Sequence, residues 1–312
     1  MKIMVPLSSD ANIERFHQAG ADEFYFGFDY PEWNRRFGGF EEINRMSSYG
    51  LQANLPFEKL GEVIQRIHEV GAHAFITLNS PAYSVEEVDF LRYLIQDIEK
   101  LKPDGLIVGS IEICVSLRHI CQLPLTASTM CAIYNTEILK FYQKIGVKRV
   151  ILPRDIRLDD LRTIVTAHSD IEYECFILRN GCRFSDANCH SYHSRTYGSV
   201  CTYLNRLPAQ VNTSIGYTPE ELREAKANHF LYDKAFHHSA CGLCEVDAFR
   251  ELGVSSLKIV GRADRPDEIE KDIALLRRLI DHKGESQSLA LDVCLYGLNC
   301  YYREPSMTVS GL

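Results

Sequence analysis

Five cysteines lie within one stretch of this sequence, and a cluster of thiols can hold a metal. They are Cys182, Cys189, Cys201, Cys241 and Cys244, in the pattern C-x₆-C-x₁₁-C-x₃₉-C-x₂-C. Thiolate sulfur is a soft ligand that suits zinc and iron–sulfur clusters. Cysteine is also among the residues most often buried in protein cores, so inert packing or a redox pair is the alternative interpretation. The crowding favours metal binding.

The spacing also bears on which metal these thiols would hold. Structural zinc usually takes two close ligand pairs, and here only Cys241 and Cys244 form one. The wide gap between Cys182 and Cys189 weakens the case for zinc without excluding it. Histidines that could add nitrogen ligands are His190, His193, His237 and His238. The other six cysteines lie mostly in strand or helix patterns, where a core position is expected.

Composition limits where the chain works and what it contacts. Its 312 residues are 46% hydrophobic and carry a net charge of −8. This acidic balance gives no basic footprint for a nucleic acid at the level of the whole chain, so a nucleic-acid partner is the weaker expectation. Apolar runs are too short to span a bilayer, and the first residues resemble a strand rather than a signal peptide. We therefore expect a cytoplasmic protein without a membrane span.

Short apolar runs alternate with amphipathic segments along the chain. The eight strand candidates are residues 2–7, 23–28, 73–79, 105–110, 123–128, 149–153, 171–178 and 256–261. Helical patterns lie between them: Ser84 and Glu87 form a capping box, and Pro266 suits a first helical turn. Such alternation implies parallel strands with right-handed crossovers. Eight strands predict the α/β fold class as a closed (β/α)₈, TIM-like barrel. An open doubly wound sheet is the alternative, although no glycine-rich dinucleotide fingerprint follows the first strand.

Two connections are longer than ordinary barrel loops. One follows the second predicted strand, over residues 29–57, and the other follows the seventh, over residues 179–244. Both leave the C-terminal ends of strands, where barrel enzymes build their sites. We predict a barrel over residues 1–283 that includes the cysteine-rich insertion 179–244. Residues 284–312 are predicted to be an extension packing on the barrel.

Charged side chains fall inside the predicted barrel. Glu174 on the seventh strand and Lys258 on the eighth point inward on neighbouring strands, so we predict that they meet. Such a pair could be catalytic, as a general acid and base, or could be a structural ion pair in the core.

Four further polar residues follow strands three, five, six and eight at the predicted mouth. They are Asn79, Ser128, Arg154 and Arg262. Arginine binds carboxylates bidentately, so we predict that this set binds an anionic small molecule. Arg154 could instead pair with Asp155 or a neighbouring loop carboxylate.

Several segments resemble the collagenase-like peptidase family, peptidase family U32. They are "LTASTMCAIYN" (125–135), "RVILPRD" (149–155), "ECFILRNGC" (174–182) and "LCEVDAFRELGVSSLKIVGR" (243–262). The family often has His-Gly where this chain has Leu178 and Arg179, and it has a glutamate at the position of Val260. These departures bear on the substrate more than on the fold.

The resemblance implies an iron–sulfur enzyme. Better-understood relatives hydroxylate tRNA, ribosomal RNA or ubiquinone precursors, some of them with prephenate in place of molecular oxygen. This chain is nearest in size to the ubiquinone-acting members, which pair as heterodimers. The ligand set carried over to this sequence is Cys182, Cys189, Cys201 and Cys244, holding a 4Fe-4S cluster, with zinc as the alternative. Cys244 is preferred to Cys241 because it holds the family's Leu-Cys position.

The resulting hypothesis is an oxygen-independent hydroxylation, or related redox chemistry, on a small organic or RNA substrate. An anionic substrate or co-substrate such as prephenate and a homologous subunit are the expected partners. A peptidase is the first alternative, although no Gly-x-Ser-x-Gly or His-Glu-x-x-His motif supports it. A non-catalytic, metal-stapled subunit of a heterodimer is the second.

Overall fold

The inner wall of the molecule is a ring of parallel strands. The computed structural model describes residues 1–37, 43–45, 53–179, 185–189, 193–194, 198–199, 220, 240–282, 290 and 301–302. The strands are β1 (Lys2–Pro6), β2 (Glu23–Asp29), β3 (Asn54–Pro56), β4 (His73–Leu78), β5 (Gly105–Val108), β6 (Leu125–Ala127), β7 (Arg149–Ile151), β8 (Glu172–Leu178), β9 (His193–Ser194), β10 (Gly198–Ser199) and β11 (Ser256–Ile259). The ring runs β1-β2-β4-β5-β6-β7-β8-β11, and β11 pairs back with β1. The predicted closed (β/α)₈ barrel is therefore confirmed, with all eight predicted strands in the ring.

Helices surround the ring. They are α1 (Ile13–Ala19), α2 (Pro31–Phe37), α3 (Leu60–Glu69), α4 (Val85–Lys100), α5 (Ile111–Leu117), α6 (Thr136–Lys144), α7 (Leu158–Ala167), α8 (Val246–Leu252) and α9 (Pro266–Asp281). The capping box of Ser84 and Glu87 begins α4, and Pro266 lies in the first turn of α9, as predicted. The patterns do not predict α2, α5 or β3, and α2 and β3 lie within the predicted long connection 29–57. No helix in the described part of the chain is long and apolar enough to cross a membrane.

Two hydrophobic clusters form the core. The larger lies between the outer faces of the strands and the helices, and buries the single tryptophan, Trp33 on α2. The smaller lies inside the barrel and consists of Met4, Tyr25, Phe75, Ile107, Ile151, Phe176 and Val260. Alternate residues of a strand point to opposite faces, so one strand supplies both clusters. Tyr301, from the predicted C-terminal extension, packs against the inner cluster.

Strand β3 extends the barrel wall at its C-terminal end. It pairs in parallel with the end of β2, Gly27 opposite Asn54. This pairing returns the long connection 29–57 to the rim of the barrel. This C-terminal end of the barrel is called the mouth. Described residues of both long connections lie there.

Candidate active site

The predicted pair inside the barrel is in contact. The Lys258 ammonium lies 2.7 Å from Oε1 of Glu174. Glu174 is fully buried and Lys258 is 5% exposed, so each charge depends on the other. Burial lowers the pKa of Lys258, and the neighbouring Glu174 carboxylate opposes that shift. The Lys258 ammonium also lies 3.7 Å from the centre of the Tyr25 ring, a cation–π contact.

Further charges below this pair complete an ionic layer in the N-terminal half of the barrel. The Arg149 guanidinium donates to both carboxylate oxygens of Glu23 at 2.8 Å. The Ser256 hydroxyl donates to the same carboxylate at 2.8 Å. Burial would raise the pKa of Glu23, but these contacts hold it below its ordinary value. Arg149 also lies 3.6 Å from Oε2 of Glu174, which links this layer to the Lys258 pair.

Sequence reasoning missed Glu23 and Arg149. Both are charged residues at the N-terminal ends of predicted apolar strands, and that was the available signal. Their ion pair with each other is buried in the barrel core, and each also pairs with a half-exposed residue at the N-terminal face, Glu23 with Lys2 and Arg149 with Glu172.

Apolar side chains separate the Glu174–Lys258 pair from the mouth. Phe176 follows Glu174 by two residues on β8, and Val260 lies one residue past the end of β11. Both belong to the cluster inside the barrel, one level nearer the mouth than the pair. They are 2% and 8% exposed. A substrate at the mouth would meet this apolar layer first. The catalytic role of Glu174 and Lys258 stays a prediction, and it requires this layer to open.

Arg154 lies at the mouth, on top of that layer. Its Cζ is 4.5 Å from the centre of the Phe176 ring, and its Nε donates to Asp186 Oδ2 at 2.6 Å. Thr129 donates to the same oxygen at 3.3 Å, and Asp186 is 3% exposed. Arg154 therefore pairs with a loop carboxylate, as the alternative interpretation anticipated, but the partner is Asp186 and not Asp155.

Arg262 holds two other segments against the mouth. Its Nη1 donates to the side-chain oxygens of Asn44 at 3.2 Å and Asn54 at 3.4 Å. Both oxygens lie above Gly27 on β2, where a Cβ atom would come within 2.3 Å of each. Gly27 is therefore needed for this close approach. The Asn54 amide also donates to Asp29 at 3.3 Å.

Asn79 and Ser128 have similar structural contacts. The Asn79 side-chain oxygen accepts a hydrogen bond from the backbone N–H of Arg45 at 2.9 Å. The Ser128 hydroxyl accepts one from the Met130 N–H at 3.4 Å and caps a short turn. All four predicted substrate-binding residues thus hold loop segments at the mouth. Their contact with a substrate stays a prediction.

A short turn in the part of the chain that follows β8 lies on the mouth. Residues 185–189 are called the docked turn. The Ser185 hydroxyl lies 2.5 Å from the Tyr134 hydroxyl, and Asp186 is held by Arg154 and Thr129 as described above. At its end, the Arg45 guanidinium lies 3.0 Å from the Cys189 sulfur. These partners were not foreseen, although both long connections had been expected to reach this face.

The predicted metal ligands divide by location. Cys182 and Cys201 lie outside the described residues. Cys189 ends the docked turn, and Cys244 lies in a turn just before α8; both are half-buried. The backbone of Cys241 forms an isolated antiparallel β-bridge with Leu178 at the end of β8. Within the described ranges no three metal-binding side chains are gathered together.

The thiols that are described differ in what they could bind. Burial raises the pKa of Cys121 to about 11 and that of Cys175 well above its ordinary value, so these core thiols resist becoming thiolates. Cys189 lies instead beside a guanidinium, which stabilises negative charge on sulfur. The half-buried cysteines at the mouth, including Cys244, therefore fit a metal or cluster ligand set better than the core cysteines do.

Arg179, where the chain departs from the family pattern, begins the insertion in a left-handed conformation with φ of 69°. A glycine would adopt this without strain. The arginine has compensating contacts: its side chain lies 3.0 Å from Glu268, 3.5 Å from Asp264, and also contacts Asp272. The Tyr301 hydroxyl donates to its carbonyl. The chain thus leaves β8 at a residue that is held by contacts from α9 and from Tyr301.

The model of peptidase family U32 matches residues 9–295, so the chain belongs to this family.

Three curated relatives are named for modifications of RNA. The chain is 28% identical to the 23S rRNA 5-hydroxycytidine C2501 synthase of Escherichia coli over 73% of its length, and 25% identical to the tRNA hydroxylation protein P of that organism over 66%. It is 24% identical to the tRNA hydroxylation protein P1 of Bacillus subtilis over 75%. The matches cover 34%, 40% and 56% of these relatives, so the chain spans about a third to just over half of their length.

Among solved structures, the chain is similar to the U32 peptidase Mk0906. The TM-score is 0.48 at 12% identity, over 63% of this chain and 78% of that one.

Proposed function

We propose that this chain is an iron–sulfur enzyme that hydroxylates an organic substrate without molecular oxygen. The observation that carries the proposal is the docked turn, which puts Cys189 over the mouth of the barrel with a guanidinium on its sulfur. In barrels this face carries the catalytic groups. The names of the relatives, all of them for RNA hydroxylation, support the reaction type.

The residues that would hold a 4Fe-4S cluster are Cys182, Cys189, Cys201 and Cys244. When bound, such a cluster supplies one-electron redox chemistry. The protein's own part is to exclude water and hold the reactants. Phe176 and Val260 form an apolar floor beneath the mouth, and the Arg154–Asp186 pair holds the docked turn on top of it.

Arg262 is the residue we propose for an anionic co-substrate such as prephenate. Its Nη1 hydrogen-bonds the side-chain oxygens of Asn44 and Asn54, which hold the guanidinium at the mouth of the barrel. Arginine favours bidentate binding of a carboxylate, the group that such a co-substrate would present.

The substrate class follows from two opposing observations. The relatives' names favour an RNA base, whereas the net charge of −8 disfavours a polyanion without a basic partner. We therefore propose either a small organic molecule or an RNA presented with the help of a homologous subunit.

Metal analysis of anaerobically purified protein tests the proposal. We expect iron and acid-labile sulfide in equal amounts, with a visible absorption band. Alanine substitution of Cys182, Cys189, Cys201 or Cys244 should remove iron, whereas Cys241→Ala should retain it. Cys121→Ala, a buried cysteine away from the mouth, is the matched control and should also retain iron. Colourless anaerobic protein without iron would contradict the proposal, and zinc in that sample would support the alternative metal.

The family description keeps a peptidase as the second candidate. It predicts hydrolysis of denatured collagen that persists after contaminating proteases are removed and that does not depend on iron. Co-purification with a homologous subunit and no turnover alone would instead support the non-catalytic role.

A further inference from the structure

We infer that Arg45 is a positioning residue for the cluster ligand Cys189, and that its hydrogen bond to the Cys189 sulfur makes the cluster easier to reduce. This inference rests on the proposed function. It concerns a residue of the long connection 29–57 that sequence patterns did not single out.

The Arg45 side chain is held from several directions. Its backbone N–H donates to the Asn79 side chain at 2.9 Å, which fixes the start of the side chain at the end of β4. One terminal nitrogen, Nη1, contacts the Met130 sulfur, and the other, Nη2, lies 3.0 Å from the Cys189 sulfur. Because contacts hold the backbone N–H and both terminal nitrogens of Arg45, its guanidinium is preorganised to donate the hydrogen bond to sulfur.

The Cys189 sulfur is held independently. Its backbone N–H donates to the Asp186 carbonyl at 3.1 Å, and the Asp186 carboxylate is bound by Arg154 at 2.6 Å. Donor and acceptor are therefore anchored to different strands of the barrel, Arg45 through Asn79 after β4 and Cys189 through Arg154 after β7. Because both ends are fixed by separate contacts, the hydrogen bond is a built feature of the mouth.

The chemical consequence concerns the charge on sulfur. Hydrogen bonds to the sulfurs of an iron–sulfur cluster help set its reduction potential. A cationic donor stabilises the more negative, reduced state more than the oxidised state, since its attraction grows with the negative charge. Without Arg45 the cluster should accept an electron less readily.

Redox titration of reconstituted protein under anaerobic conditions tests this role. The variants are Arg45→Met, which removes donor and charge, and Arg45→Gln, which keeps an N–H donor without the charge. At the potential where half of the wild-type cluster is reduced, the ratio of reduced to oxidised cluster should fall about tenfold in Arg45→Met, the size of one charge-assisted hydrogen bond. Arg45→Gln should show a smaller fall in the same direction.

Arg35→Met is the matched control, because Arg35 is exposed on α2 and pairs only weakly, at 3.6 Å, with Glu32. Its ratio should equal that of the wild type. If Arg45→Met loses iron and cannot be titrated, the test is the smaller fall in the ratio of reduced to oxidised cluster expected for Arg45→Gln. An unchanged ratio in an iron-loaded Arg45 variant overturns the role of Arg45 and leaves the cluster standing. Wild-type protein without iron overturns both proposals.

Discussion

The two halves of the barrel differ in where their charged residues find partners. In the N-terminal half, Arg149, Glu23, Glu174 and Lys258 all lie on strands and bind one another. At the mouth, Arg45, Arg154, Arg179 and Arg262 bind groups that come from other segments of the chain. Barrel strands typically serve stability at the N-terminal face and function at the C-terminal face. The difference suggests that the buried ion pairs of the N-terminal half support the fold, whereas the arginines at the mouth hold segments of the two long connections in place.

The largest loss of stability is expected on breaking the buried Glu174–Lys258 pair. Glu174→Leu would leave the Lys258 ammonium buried without its closest partner. Breaking one side of a buried ion pair costs about 3–5 kcal/mol, so the free energy of unfolding should fall by that amount. Urea denaturation monitored by circular dichroism measures it.

The double variant Glu174→Leu/Lys258→Met is the control. Replacing both charges by apolar groups should restore most of the lost stability, because no unpaired charge remains. If the restored protein still lacks activity, the pair takes part in catalysis and the comparison between the halves is too simple. A loss below about 1 kcal/mol in the single variant would show that the pair is not sealed from water.

At the mouth, Asp186→Ala should have a smaller effect on stability and a larger one on the metal. It removes the carboxylate that Arg154 and Thr129 bind, at a cost of about 1–3 kcal/mol. The barrel itself should remain folded, while iron bound per chain falls because the docked turn is released. Asp97→Asn, on the exposed face of α4, is the control and should retain iron. Full iron content in Asp186→Ala would show that the docked turn does not position Cys189.

These contacts also show how far the sequence could lead. Apolar runs were sufficient for eight strands, and the period of two put Glu174 and Lys258 on the inner faces of neighbouring strands. The partner of Arg154 was not predictable in the same way, because Asp186 is 32 residues away in a segment without a repeating pattern. Periodicity encodes which face of an element a residue occupies, but it does not encode where a long loop returns.

Two substitutions of Arg179 separate the cost of its backbone strain from the gain of its ion pairs, and they should differ by about 1 kcal/mol in the free energy of unfolding. Arg179→Ala loses the contacts with Glu268 and Asp272 and keeps the left-handed backbone. Arg179→Gly loses the same contacts and relieves the strain, which costs a non-glycine residue about 1–2 kcal/mol. The glycine variant should therefore be the more stable of the two by about 1 kcal/mol in urea denaturation. Equal stability would mean that φ at this position carries no strain.

The smallest effect concerns pH at the N-terminal face. Asp104 binds His68 at 2.9 Å and His73 at 3.0 Å. Burial would raise the pKa of Asp104, but hydrogen bonds from the Ala74 N–H and the two histidines hold it below its ordinary value. A carboxyl whose folded pKa is depressed adds stability above its unfolded pKa, and this stability is lost as the pH falls through the folded value.

Below about pH 4, the free energy of unfolding should therefore fall more steeply in the wild type than in Asp104→Asn. The difference should stay under about 1 kcal/mol, because the histidines are 40% and 47% exposed and solvent screens the pair. Urea denaturation at a series of pH values between 2 and 7 measures both slopes. A change in bound iron in Asp104→Asn would contradict the separation of the two halves, since this residue lies at the face opposite the docked turn.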